Sequence, residues 1–316
     1  MVKKLIFCLI GLIFLTFVVV LFKLDPSTTL VNPLVIPDVR TQEYTPRPPI
    51  VLVSYADGPD VFYKNQSALS ASAADKGFDI IYNYRRGHMD PHFYAKNKHI
   101  LTQERGSGYW LWKPYFILKT MNELPDNAII FYADSGVVLK KPITKILEEM
   151  KKYDMVLVGH GRPVPLSHHL KKEAYKVFKI PLSSDVLSQQ NVWAFFLCIR
   201  NTKENREFVA KWLEACESAD AITDVPFDPN NQIPHFSGHQ NDQSLLSTFV
   251  ALDPHKKLII RRNIMRNEYG IHNFHRHPNH EFTSPLFLMA GMPQWVGTLL
   301  WNNVLMEWAR KWISYL

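Results

Sequence analysis

The chain is poor in cysteine and in concentrated charge, and both shortages narrow what it can be. Its 316 residues hold only Cys8, Cys198 and Cys216, too few for a disulfide-knit scaffold. Cys8 falls inside an apolar run, which leaves either one bridge between Cys198 and Cys216 or two buried thiols. Lysine and arginine total 36 against 29 acids, a net charge of +7. That excess is scattered as pairs such as Arg85-Arg86 and Arg261-Arg262, with no long basic run and no zinc finger or other nucleic-acid module. Nucleic acid is therefore not an expected partner, and a mildly basic surface suits an anionic substrate or membrane face. Charged residues make up 21% and apolar ones 47%, which excludes extensive disorder and leaves ample material for a core. No internal repeat is evident.

One long hydrophobic run is present. Leu5 to Phe22 carries no charge, proline or strongly polar residue, and about 18 apolar residues just cross a bilayer core of roughly 30 Å. Lys3 and Lys4 precede it and Asp25 soon follows, so the positive-inside bias favours a cytosolic N-terminus. No small-x-small cleavage site follows the run, which disfavours a removed signal peptide. The expected layout is a cytosolic tip and signal anchor over 1–23, a proline-rich stalk over 24–49 and a folded domain over 50–316. Such a chain is a single-pass type II membrane protein, placed in a Golgi or other secretory membrane in a eukaryote and the inner membrane in a bacterium. Asn65-Gln66-Ser67 is a glycosylation sequon, usable only in a secretory pathway.

From Ile50 onward strand and helix signals alternate, which predicts a largely parallel sheet with helices on both faces. Strands are expected over 50–53, 78–82, 128–132, 155–158 and 192–199. Helices are expected over 62–75, over 115–124 behind Pro114, after Pro142, and over 204–216 with Phe208, Val209 and Trp212 inward. Near the C-terminal end Trp301, Leu305, Trp308 and Trp312 share one helical stripe, which lies on a membrane or packs on its own domain.

Four segments carry chemistry-bearing residues. Asp134, followed by Ser135 and Gly136, stands just past an apolar strand, where loops of an open α/β sheet converge on ligands. A carboxylate there suits Mg²⁺ or Mn²⁺ bridging two phosphates, or simply caps a loop. Arg105 to Pro114 places Tyr109, Trp110 and Trp112 between Arg105 and Lys113. Aromatic faces stack on sugars and bases while the cations meet phosphate, although a tryptophan here can also anchor the next helix. His239 to Leu246 offers Asn241 or Asp242 as a helix cap, or a carboxylate and an amide, Asp242 and Gln243, for a bound sugar. His272, His275, His277 and His280 crowd nine residues. No cysteine nearby completes a zinc set and the His-x-x-Glu-His order is lacking, so a further ligand to a divalent metal held by Asp134 is the more attractive role.

Together these segments resemble nucleotide-diphospho-sugar transferases of the GT-A fold. They resemble in particular a group carrying Gly-x-Gly-Tyr-Trp-x-Trp-Lys-Pro, a strand ending Tyr-x-Asp-x-Gly, and a His-x-x-Asp-Gln-Ser helix start. Here these are Gly106 to Pro114, Tyr132 to Gly136, and His239 to Ser244, in that order. The resemblance implies a GT-A-like, Rossmann-type mixed sheet flanked by helices, acting as a glycosyltransferase on a nucleotide-sugar, UDP-sugar foremost, and a glycan or other hydroxyl acceptor. It implies donor contacts from Arg105, Tyr109, Trp110, Lys113, Asp134, Ser135 and Gly136. Asp242 and Gln243 would sit beside the transferred sugar, as the Asp-Gln pair does in glycogenin-like retaining transferases. Asp134 with His272, His275 or His277 would hold Mn²⁺ or Mg²⁺. The chain departs from the pattern at position 132, a tyrosine, and offers no second acid after Asp134. That departure also suits a non-catalytic carbohydrate-binding or scaffold protein with the same fold.

Overall fold

Six consecutive buried residues, Ile50–Tyr55, form the strand around which the sheet is laid. Val51 and Val53 point into one apolar cluster and Ile50 and Leu52 into another on the opposite side. Both faces are covered, so the strand reads as an unbroken apolar run rather than an alternation. The computed structural model describes residues 47–179, 181–253 and 257–274.

The strands are β1 (Ile50–Tyr55), β2 (Ile80–Tyr84), β3 (Ile129–Ala133), β4 (Val137–Leu139), β5 (Met155–Gly159), β6 (Val192–Arg200), β7 (Lys257–Arg261) and β8 (Ile271–Asn273). Six form one sheet in the order β2-β1-β3-β6-β5-β7, while β4 and β8 pair separately. β1 runs parallel to β2 and β3, and β5 parallel to β7. β6 is antiparallel to both of its neighbours, β3 and β5. The sheet is thus mixed, where the alternation of elements alone predicts a largely parallel one. The reversed strand is almost wholly buried, so its direction leaves no mark on its hydrophobic pattern.

The longer helices are α1 (Asp60–Ala73), α2 (Trp112–Glu123), α3 (Thr144–Glu149), α4 (Lys203–Cys216), α5 (Asp242–Leu252) and α6 (Arg262–Tyr269). α2, α4 and α5 cover one face of the sheet through Phe116, Trp212 and Leu246 among others. α1, α3 and α6 cover the other through Leu69, Ile146 and Met265. Every sheet strand but β6 points the same way. The carboxyl ends of β1, β2, β3, β5 and β7 therefore meet the amino end of β6 along one edge, the place where open α/β sheets bind ligands.

The expected anchor, the stalk up to residue 46 and the tryptophan stripe lie outside the described residues. Among the described residues no helix is long and apolar enough to cross a membrane. The sequon Asn65 stands within α1, in regular helix rather than in a loop.

Cys198 and Cys216 are both buried and both free. Burial pushes each thiol well above its ordinary pKa, so the reactive thiolate is suppressed. Iodoacetamide is expected to leave both unmodified in the native chain and to alkylate both in guanidinium. Peptide mass spectrometry reads this directly, and native labelling of either cysteine would contradict the packing.

Candidate active site

The segment before α2 has a backbone few sequences tolerate. Five successive residues, Gly106 through Trp110, have φ between 51° and 98°, so the turn Gly106–Tyr109 is left-handed. Ser107, Tyr109 and Trp110 each give up about 1–2 kcal/mol to hold that conformation. At Gly108 no other residue fits, since a Cβ would come within 2.6 Å of the Leu101 Cα. Strain of this kind persists only where the surroundings over-determine it. Here Trp112 supplies the clamp: its indole Nε1 donates to Gly106 O at 2.9 Å and its ring stacks on Tyr55 with centroids 4.2 Å apart. The turn delivers Lys113 into the first turn of α2. Pro114 is harmless there because a first-turn N–H has no helical partner.

Lys113 is the centre of the site. Its side chain is 3% exposed, and its Nζ lies 2.8 Å from Asp242 Oδ2 and 3.4 Å from Asp134 Oδ1. Burial works to strip its proton, but the two carboxylates outweigh that and hold the ammonium charged, above the usual lysine range. Asp134 comes from the end of β3, and its Oδ1 also accepts the Tyr132 hydroxyl at 2.5 Å. Asp242, the first residue of α5, is 5% exposed. Burial pushes its carboxyl up to about 6 while Lys113 opposes the rise. The structure thus brings together Lys113, Asp134 and Asp242, which stand 21 and 108 residues apart in sequence.

Asp242 is not the helix cap. The cap position belongs to Asn241, at φ 52°, and its side chain makes no capping bond. Instead its amide donates to Ile222 O at 2.7 Å and to Asp224 Oδ1 at 3.2 Å. Asp224 also meets Arg105 Nε at 3.2 Å and the Tyr109 hydroxyl at 3.4 Å. Arg105 and Asp224 are each about half exposed, so this pair shapes the rim rather than stabilising the fold. The Arg105 guanidinium also lies 6.0 Å over the Trp110 ring, which is half-buried against the core. Gln243 is buried, its Oε1 accepting from Ala194 N at 3.4 Å, so it braces the start of β6. Ser135 is buried, and Gly136 O accepts from Phe274 N at 3.0 Å.

The expected metal shell is only partly described. His272 lies on β8, paired with Val138, and burial together with Lys140 and Arg266 pushes it down to about 4. His275 and His277 lie outside the described residues. Among the described residues no three histidine, cysteine, aspartate or glutamate side chains gather to hold a metal. Asp134 and Asp242 are already neutralised in part by an ammonium between them. The described residues alone therefore do not fit a divalent-metal site.

Three residues at this edge escape the motifs. Arg86, just past β2, donates from Nε to Asp57 Oδ2 at 2.8 Å, just past β1, beside the stacked Tyr55. By pattern Asp57 is a turn former and Arg86 half of a basic pair. Only their place at the carboxyl ends of adjacent strands marks them.

No protein-family model matches the chain, and no curated protein sequence does. Several solved structures are similar in shape, and three can stand for them. One is a glycosyltransferase involved in the glycosylation of the major capsid of PBCV-1, at 13% identity, 68% of this chain, 82% of that one and a TM-score of 0.38. Another is mouse xyloside xylosyltransferase 1 in its apo form, at 11%, 67%, 84% and 0.39. The third is the galactosyltransferase LgtC with donor and acceptor sugar analogs, at 14%, 63%, 70% and 0.33. Likenesses this distant leave the chemistry to be read from the site itself. The six-stranded mixed sheet with helices on both faces fits the GT-A fold that the motifs resemble.

Two measurements follow from the electrostatics. Replacing Lys113 by methionine leaves two buried carboxylates without their cation, which is expected to cost about 3–5 kcal/mol in denaturant unfolding. Adding Asp242→Asn should recover part of that loss, and strict additivity of the two would refute the pairing. The second concerns His239, whose Nε2 faces Ala221 O at 2.8 Å. Burial, then the Lys171 charge, pushes it down to about 4. A histidine depressed in the folded state adds stability above its unfolded pKa of about 6.5 and loses it as pH falls. Between pH 6.5 and 4 the slope of unfolding free energy should be shallower in His239→Gln by up to about 1.4 kcal/mol per pH unit. An unchanged slope would remove His239 from the account.

Proposed function

We propose that the chain is a glycosyltransferase that moves a sugar from a nucleotide-sugar, a UDP-sugar in the first instance, to a glycan or other hydroxyl acceptor. The observation that carries this reading is the Lys113 ammonium buried between Asp134 and Asp242 at the carboxyl edge of the sheet. The arrangement has little value for stability alone, since a buried ion pair is often replaced by apolar residues at no loss. Its value lies in preorganised charge: a departing nucleoside diphosphate needs positive groups already in place. Lys113 and, at the rim, Arg105 supply them.

The two carboxylates divide the work in this reading. Asp134, partly exposed and tied to Tyr132, faces the donor side. Asp242, dry and buried, takes the position beside the sugar, where a carboxylate accepts sugar hydroxyls or shields positive charge developing at the anomeric carbon. Gln243, next to Asp242, braces the start of β6 beside it. Two carboxylates and one ammonium leave a net charge of −1, so a diphosphate calls for further cations. Mn²⁺ or Mg²⁺ enters the proposal only as a companion of the donor, with Asp134 and His272 the described residues of the expected shell. Membrane attachment through 1–23 belongs to the proposal too, and release of the full chain into the aqueous fraction by alkaline carbonate would remove it.

Asp242→Asn is expected to keep the fold and donor binding, with melting lowered because buried Lys113 loses one of its two carboxylates, while turnover falls by about 10²-fold or more, on the order of 2.7 kcal/mol in the barrier. Asp134→Asn should abolish transfer with the fold intact. A thermal-shift screen of UDP-sugars, with and without Mn²⁺, supplies the donor. A ligand at 100 times its dissociation constant stabilises by about 2.7 kcal/mol. Normal turnover in both variants would overturn the assignment.

A further inference from the structure

The same edge of the sheet carries a second group of side chains that the reaction above does not use. His160 directly follows β5, Trp193 lies at the start of β6, and Arg262 directly follows β7. These strands are neighbours, β5 pairing with β6 on one side and β7 on the other. The His160 imidazole stacks on Trp193, with centroids 4.5 Å apart and an interplanar angle of 26°. The Arg262 guanidinium carbon lies 5.3 Å from the Trp193 ring centroid and 6.0 Å from that of Phe195. Gln190 closes in from the loop before β6, its Oε1 3.4 Å from where a Cβ on Gly159 would stand.

Two of these side chains, Arg262 and His160, are oriented but not satisfied. Arg262 makes no ion pair and its guanidinium no hydrogen bond among the described residues, although the two rings hold it in place. His160 Nε2 is buried without a hydrogen-bond partner among the described residues. His169 and Arg262 act on His160 and Arg266 acts on Arg262, all pushing the same way, and no carboxylate among the described residues acts on either. A guanidinium fixed on aromatic faces with its fork unpaired matches a carboxylate or phosphate, whose two oxygens take parallel N–H bonds. A neutral hydroxyl gains far less from it.

The group also adjoins the proposed reaction centre through β6. Asp134 N donates to Phe195 O at 2.8 Å, and Ala194 N donates to Gln243 Oε1 at 3.4 Å. Trp193 therefore stands next to the backbone that both halves of that centre grip.

We propose that His160, Gln190, Trp193 and Arg262 form the acceptor subsite, and that the acceptor is a saccharide bearing a carboxylate or a phosphate. This rests on the transferase reading and deepens it. The test uses the full chain in detergent and saturation-transfer NMR. The probes are methyl glucuronide, glucose 6-phosphate and neutral methyl glucoside, with UDP measured separately. At least one anionic sugar should bind about tenfold more tightly than methyl glucoside, and which one tells a carboxylate from a phosphate. Arg262→Ala should erase that preference and leave UDP affinity unchanged. Arg262→Lys, which keeps the charge but not the fork, should retain only part of it. If UDP binds and the three sugars bind alike, or if Arg262→Ala keeps the preference, the acceptor inference is wrong. If the anionic sugars bind and UDP does not, the acceptor role is overturned together with the transferase reading.

Discussion

A buried ammonium between two carboxylates sets the terms for the surrounding structure. Lys113 can be dry only because Asp134 and Asp242 are both close, and Asp242 can be dry only because Lys113 is. Each of the three comes from a different element, so the contact fixes α2, the end of β3 and the start of α5 against one another. The neighbouring features read as supports for that contact. Trp112 pins the turn that delivers Lys113, Tyr132 orients Asp134, and the Trp212 indole donates to the Asp242 carbonyl at 3.1 Å. The left-handed run before α2 is a cost accepted to aim one side chain. Left-handed backbone at three non-glycine residues in succession with two glycines has no gain in packing alone that would offset it.

Much of this was legible in the sequence, and the parts that were not share a physical cause. Residue patterns report what a segment buries, so β1, β3, β5, β6 and α4 are visible to within two residues or so. Patterns say nothing about direction, and the reversal of β6 stayed hidden because both its faces are apolar. The residues Lys113, Asp134 and Asp242 were legible through motifs, but their mutual contact was not. No spacing rule joins residues 113, 134 and 242 across a sheet and two helices. Asn241 was a fair candidate for a cap and takes the cap position, yet tertiary contacts to Ile222 and Asp224 claim its amide. His272 shows how far the pattern reaches: the fold sets it on β8, where burial, then the Lys140 and Arg266 charges, keep its imidazole neutral, while the rest of the histidine string lies outside the described residues.

The reversed strand brings an amino end to an edge otherwise made of carboxyl ends. In an all-parallel sheet each strand would present only a carboxyl end and the loop beyond it. Because β6 runs the other way, its amino end enters the same edge and offers backbone groups to both sides. Asp134 N reaches Phe195 O, Val192 N reaches Ser247 Oγ of α5 at 3.0 Å, and Ala194 N reaches Gln243. One strand thus ties the turn holding Asp134 to the helix holding Asp242, and sets Trp193 between them and the ends of β5 and β7. In the proposed transferase, a donor side and an acceptor side that share one strand as their wall would keep a fixed spacing, because backbone hydrogen bonds on a buried strand do not yield independently. Group transfer between two ligands demands that constancy, since orientation and proximity of the two reactants are worth more to such a step than any single contact. The antiparallel strand, whose direction the pattern of residues concealed, is therefore the element best suited to make a single reaction centre out of the two proposed binding sites.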